Sequence, residues 1–352
     1  MMKNRVFSVG VMSGTSLDGV DLVYVSFDKK NYKDFEIYAA ETISYTKDWQ
    51  SILSNAIHQP KEVLIELDVE YGRFLGETIL AFMQQHQIKT LDFIASHGHT
   101  VLHEPKKGIT LQIGSGQEVA NITNTKVVCD FRTQDVEFGG QGAPLVPVGD
   151  EILFSEYEYC INLGGFSNVS FVKNNERIAF DICPVNIVLN HYVHQLGFAF
   201  DEGGKIAAKG KVNKLLLEEL NKLEYYQKAP PKSLGLEWVQ KHVFPLIDTK
   251  DISIEDILRT FVEHIALQIA KVIKGSTNVL FTGGGTFNNF LIERVQFYAS
   301  ININLASKTI INYKEALVFS LLGLLKINNE INCLKSVTGA QKNHSSGVVF
   351  TT

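Results

Sequence analysis

Between Val9 and Phe27 two apolar runs flank the residues Ser13, Gly14, Thr15, Ser16 and Asp18. Hydroxyls and glycine-freed backbone N–H groups are the donors that hold an oxyanion, and a carboxylate beside them is a hard oxygen ligand for hydrated Mg²⁺. The same residue types return in the stretch GGFSN, where Gly164, Gly165, Ser167 and Asn168 again sit between two strand-like runs. A third glycine turn, Gly283, Gly284 and Gly285, leads through Asn288 into a helical pattern. Any one of these is equally an ordinary hairpin corner or an unliganded junction. Three together, two of them on hairpins that can grip from both sides, point to a polyphosphate. The chain contains neither the G-x-x-x-x-G-K-[ST] loop nor the G-x-G-x-x-G spacing, so a different nucleotide architecture is required.

The remaining chemistry-bearing residues are scattered. Asp181 stands before CPVN and a helix start, where an aspartate serves as a general base or simply caps the next helix. His97, His99 and His103 in HGHTVLHEP have the look of a metal cluster, yet an extended segment does not make them converge, and no cysteine or second acidic pair joins them. Arg132 offers a planar fork to an anion or an ion pair to Asp130 or Asp135. Glu315 reads either as a ligand-orienting carboxylate or as a solvated residue at a helix N-terminus.

Elements must carry these groups to one place. Val6 to Phe27 reads as two strands around the first loop, and Phe35 to Tyr45 as a third. After Pro60, the apolar positions Val63, Leu64, Leu67, Phe74, Leu75, Ile79 and Phe82 recur every three or four residues, which predicts a long amphipathic helix. DFIAS is a short buried strand ending at HGHTVLHEP; ITLQIGS and TKVVCDFR are further strands, the latter delivering Asp130 and Arg132 to a glycine-rich loop. Tyr157 to Lys173 repeats the strand, glycine loop, strand plan, which suggests two halves built alike. RIAFD is a strand ending at Asp181, and the helix after it stops at Gly197. Ser253 with Asp256 starts another helix that ends at Gly275, and KEALVFSLLGLLKI is a last apolar helix. KVNKLLLEELNKLEYYQKAPPKS reads as a solvated amphipathic helix closed by a proline turn.

Length and composition set the frame. A chain of 352 residues is long enough for two domains with real cores. With 20% charged residues and a formal net charge of -5, it has no basic field for nucleic acid, which favours a small-molecule substrate. Ser8 and Gly10 break the first apolar run, so a secretory leader is not expected, and no run reaches the length of a membrane helix. Four dispersed cysteines without Cys-x-x-Cys predict free thiols and a cytoplasmic setting.

The ordered segments GVMSGTSLDGVD, HGHTVLHEP, TLQIG, VVCDFR, GGQGAPLVP, NLGGFSNVS, DEGGKIAAKG, PPKSLG and GGGTFNN resemble the anhydro-N-acetylmuramic acid kinases over nearly the whole chain. The resemblance implies an α/β fold of two ribonuclease-H-like domains of the sugar kinase, heat-shock protein 70 and actin type with ATP in the cleft. Domains of 1–150, with the first phosphate hairpin and part of the sugar site, and 151–352, with the second hairpin, the catalytic aspartate and the adenosine-site glycines, are expected, the last helix being free to pack back on the first. It implies ATP and Mg²⁺ as cofactors, with Gly14, Thr15, Ser16, Leu17, Asp18, Gly19, Val20 and Asp21 on the nucleotide side and Asp18 on the magnesium through water. Gly164, Gly165, Ser167, Asn168, Gly283, Gly284, Gly285 and Asn288 join them. Asp181 becomes the base that deprotonates a water opening the 1,6-anhydro bond, while the freed 6-oxygen takes the γ-phosphoryl. His97, Arg132 and Glu315 fall on the sugar side, Arg132 facing a lactyl carboxylate. Two departures stand out: Ile182 and Cys183 replace the usual Thr-Gly pair after the aspartate, and His99 replaces a usual glutamine. A kinase for another anhydrosugar such as levoglucosan, and a non-catalytic actin- or chaperone-like ATP module, stay open, as does a homodimer.

Overall fold

The computed structural model describes residues 4–14, 17–303 and 305–352. The chain divides into two compact units, Met1–Leu153 with Tyr313–Thr352, and Phe154–Asn312.

In the first unit, β1 (Arg5–Ser13), β2 (Gly19–Asp28) and β3 (Phe35–Ser44) form an antiparallel meander, because alternating β-branched and aromatic residues fit a pleated surface. β4 (Phe93–Glu104) then pairs parallel with β1, β5 (Ile109–Ile113) folds back on β4, and β6 (Val127–Cys129) adds a parallel strand beyond β4. The helix Lys61–Gln85 covers the sheet with Leu64, Leu67, Leu75, Ile79 and Phe82 of the predicted stripe, joined by Tyr71, while Phe74 is half-buried. Val63, expected on that stripe, is exposed; it lies one position off the buried face. β4 is longer than the sequence suggests: the strand does not end at HGHTVLHE but runs through it, since cross-strand pairing with β5 carries the extended chain on.

The second unit repeats the plan. β7 (Tyr159–Leu163), β8 (Phe166–Lys173) and β9 (Glu176–Pro184) form an antiparallel meander, and β10 (Val279–Thr282) pairs parallel with β7. Order β10-β7-β8-β9 corresponds to β4-β1-β2-β3. The helix Ile254–Ile273, capped by Ser253 accepting from the Asp256 N–H, buries Leu258, Phe261, Val262, Ile265 and Ile269 in this unit's core. The helix Lys308–Ile327 leads back to the first unit, where β11 (Val348–Phe350) closes the sheet edge against β6. That helix begins earlier than KEALVF suggests, so Glu315 lies two turns inside it rather than at its N-terminus.

Candidate active site

The first glycine loop leaves β1 at Ser13. The Ser13 hydroxyl does not face an anion: it is buried and bonded to Tyr45 Oη at 2.6 Å, to Tyr71 Oη at 2.8 Å and to His99 Nδ1 at 3.2 Å. A tyrosine just after β3 and another in the helix Lys61–Gln85 thus anchor the base of the loop. Thr15 and Ser16 lie outside the described residues. Leu17 has a left-handed φ of 58°, and Asp18 is exposed. Gly19 is required for packing, because a Cβ there would stand 2.4 Å from the Ile43 carbonyl oxygen. Val20 is in the core, and Asp21 accepts from Thr42 Oγ1 at 2.6 Å. Burial pushes the Asp21 carboxyl up to about 6; the Thr42 bond opposes this, while the Asp18 and Glu315 charges add to it. The Asp18 and Glu315 carboxylates thus act on Asp21 from close by, and oxygen donors of this kind suit a hard cation.

Arg132 follows β6 after Asp130, whose φ is 56°. Its Nε donates to His97 Nε2 at 2.9 Å and its Nη1 to the Gly142 carbonyl at 2.5 Å. Since His97 Nδ1 meets the Gly98 carbonyl at 2.9 Å, both ring nitrogens are occupied and the imidazole is neutral, protonated on Nδ1. Burial, reinforced by the Arg132 charge, holds its pKa well below the ordinary range. His97 therefore orients Arg132, and the ion pair with Asp130 or Asp135 read from sequence is not what the guanidinium makes. Desolvation lowers Arg132 to about 10, against the pull of Glu315, Cys333 and Asp135. Glu315 is reached by solvent, yet its protein surroundings push its carboxyl up, opposed by Lys314 and Arg132. The three histidines of HGHTVLHEP diverge: His99 goes to Ser13 and His103 to Thr110 Oγ1 at 3.1 Å.

In the second unit, β8 pairs Asn168 with Asp181 but Ser167 with Cys183, so Ile182 is an inserted bulge residue. β9 consequently continues through Asp181 to Pro184 instead of ending at the aspartate. Ile182 and Cys183 are buried in the core, which places the departure from the usual Thr-Gly pair behind the carboxylate. Asp181 Oδ2 accepts from the Leu234 N–H at 2.8 Å; its own backbone N–H donates to Lys232 O at 3.2 Å, and Tyr225 Oη donates to its carbonyl at 2.5 Å. The segment 225–234, read from sequence as surface helix and turn, is thus the clamp on Asp181. Its PPKSLG motif was the available signal. Burial raises the Asp181 carboxyl, and the Leu234 N–H partly offsets this.

The Gly164 and Gly165 carbonyls accept from Asn186, Val185 and Ile187 N–H groups, tying the second hairpin to the next helix start. Ser167 is buried with an unpartnered hydroxyl, whereas Asn168 is exposed. Gly283, at φ 83°, leaves no room for a Cβ, which would lie 2.5 Å from Asn162 Oδ1; Gly284 is open to solvent and Gly285 packs on Leu163. A 3-10 turn, Gly284–Phe287, separates these glycines from the helix Asn289–Ala299. Asn288 caps that helix by accepting from the Leu291 N–H at 2.9 Å. The DEGG loop packs here, with Asp201 accepting from the Ile206 and Ala207 N–H groups and Gly204 against Asn288.

A family model described as anhydro-N-acetylmuramic acid kinase matches residues 6–352. A protein of that name from Mannheimia succiniciproducens is 35% identical, covering 99% of this chain and 100% of its own length. Another from Haemophilus influenzae is 32% identical, covering 98% and 97%. Among solved structures, component A of (R)-2-hydroxyglutaryl-CoA dehydratase from Acidaminococcus fermentans aligns at TM-score 0.50 and 12% identity, covering 92% of this chain and 99% of that one. The two sheets share one order, β3-β2-β1-β4 and β9-β8-β7-β10, as in a ribonuclease-H-like fold.

Proposed function

Because the chain belongs to the anhydro-N-acetylmuramic acid kinase family, we propose that it opens 1,6-anhydro-N-acetylmuramic acid with water and phosphorylates the product with ATP. Asp181 accepts a proton from the water that attacks the anomeric carbon. The bond from that carbon to the 6-oxygen breaks, the 6-oxygen takes the γ-phosphoryl, and ADP leaves; the products are N-acetylmuramic acid 6-phosphate, ADP and a proton. The observation that carries this reading is the fixation of Asp181 at a bulge, one oxygen held by the Leu234 N–H, the other left to take the proton. Arg132, aimed by His97, matches the lactyl carboxylate of the sugar as a planar fork.

Asp18, Asp21 and Glu315 would hold a hydrated Mg²⁺; the Asp21 carboxyl, raised by burial and further by the Asp18 and Glu315 charges, is an oxygen donor whose charged form such a cation favours. When bound, the ion neutralises phosphate charge. The nucleotide-side glycines and Asn168 let backbone approach phosphate, and the cytoplasm, where ATP and peptidoglycan-derived sugars meet, is the setting of this reading. Asp181→Asn tests it, with ADP release and sugar phosphate measured over anhydrosugars with and without lactyl and N-acetyl groups. The expected result is a loss of about 10²–10⁴-fold in turnover with ATP binding retained. A variant that still phosphorylates the anhydrosugar near the parent rate overturns the role of Asp181. Preference for levoglucosan, or ATP hydrolysis without any sugar product, overturns the substrate.

A further inference from the structure

Asp135, Cys333 and His344 lie apart in sequence and take no part in the reaction above, yet their ligand atoms all fall within 4.8 Å of one another in the interior of the first unit. Cys333 and His344 face each other across an antiparallel backbone bridge, with N–H to carbonyl distances of 3.1 and 3.2 Å, so the pair is rigidly placed. Asp135 comes from the short helix Thr133–Glu137. Its Oδ2 accepts from the Gly142 N–H at 2.7 Å, while Oδ1 takes Thr338 Oγ1 at 2.7 Å and Cys333 Sγ at 3.0 Å.

His344 is the decisive member. Its Nδ1 meets the Lys342 carbonyl at 3.1 Å, so that nitrogen carries a proton and in the neutral ring Nε2 presents a lone pair. Nε2 is buried, has no hydrogen-bond partner and stands 3.6 Å from Asp135 Oδ1. A lone pair facing a carboxylate is unfavourable unless a positive charge lies between them. A proton on Nε2 supplies one as an ion pair with Asp135 Oδ1 at 3.6 Å; a cation held by both groups and the thiolate supplies it with direct ligation. Imidazole held through its other nitrogen by a backbone carbonyl is the usual support of a metal-ligating histidine.

We propose that Asp135, Cys333 and His344 bind a Zn²⁺-class divalent cation. Tetrahedral ligation at about 2.0–2.3 Å sets neighbouring donors roughly 3.3–3.7 Å apart; Asp135 Oδ1 stands 3.6 Å from His344 Nε2 and 3.0 Å from Cys333 Sγ, and all three atoms lie within 4.8 Å of one another. Sulfur and nitrogen donors select zinc over Mg²⁺ or Ca²⁺. On binding, the metal–sulfur bond replaces the S–H bond and the proton leaves to the buffer, so thiolate and carboxylate together neutralise the ion's double charge. The fourth position falls to water or the Thr338 hydroxyl. Gly142 connects the site to Arg132, because its N–H is held by Asp135 and its carbonyl holds the guanidinium. A loaded site therefore stiffens the loop that carries Arg132.

The test is Co²⁺ titration of the full-length protein after mild chelation. One equivalent is expected to bind with a thiolate-to-cobalt charge-transfer band and tetrahedral visible bands, Zn²⁺ displacing it and raising Tm. Cys333→Ser should abolish the charge-transfer band, and His344→Ala should weaken binding about tenfold or more. Absence of the band and of any metal-dependent Tm rise in the parent protein overturns the proposal whatever the variants do. Persistence of the band in folded Cys333→Ser does the same, since it would place the metal on another cysteine.

Discussion

Asp181 and Arg132 are functional candidates whose chemistry is set by neighbours. The aspartate is raised by burial, so the acid limb of kcat/KM is expected above the ordinary carboxylate range, with activity lost as pH falls and the base becomes protonated. Arg132 keeps one orientation because His97 is trapped as a neutral acceptor. Asp21 permits a sharper expectation. Its folded pKa is raised from 3.8 to about 6, so its favourable contribution to stability is complete below 3.8 and is lost as pH rises through about 6. Without divalent cation, Asp21→Asn is therefore expected to raise Tm at pH 8, by an amount that shrinks toward pH 4. Thermal scans across that range check it; a gain independent of pH would refute the raised Asp21 carboxyl.

At the scale of elements, glycine positions decide how closely strands and helices approach. Gly10 in β1 lies under the helix Lys308–Ile327, and a Cβ there would stand 2.0 Å from the Ala316 carbonyl oxygen and 2.9 Å from Ser320 Cβ. Backbone cannot yield as a flexible side chain can. Gly10→Ala is expected to cost about 1–3 kcal/mol or more by overpacking, read as a lower denaturation midpoint at unchanged m. An unchanged midpoint would mean that the helix slides off β1 without penalty. The bulge at Ile182 acts at the same scale, since the extra residue lets Asp181 pair with Asn168 while Ile182 and Cys183 enter the core.

Over the whole molecule, buried neutral histidines link stability to acid. Burial lowers His99 from 6.5 to about 4 and His264 to about 3, and His97 lies well below its ordinary value. A depressed folded pKa contributes stability that is present above 6.5 and lost as pH falls toward the folded value. Tm is expected to drop progressively between pH 6.5 and 4, and His264→Gln, between Asn221 and Tyr226, should flatten part of that slope. Equal slopes for parent and variant would show that His264 is already charged. Both units carry such a histidine, so the acid transition should involve both.

The sequence by itself determined the strand runs, the buried stripe of the Lys61–Gln85 helix, the Ser253 cap and the twofold recurrence of the glycine hairpins, because these depend on local periodicity and turn chemistry. Ordered motifs also carried the family. Tertiary structure alone decided that HGHTVLHE is strand, that Ser13 bonds inward to two tyrosines, that His97 serves Arg132, and that Leu234 and Tyr225 hold Asp181. These depend on hydrogen bonds between residues distant in sequence. Cross-strand pairing and burial choose such partners, and neither leaves a period or spacing in the chain.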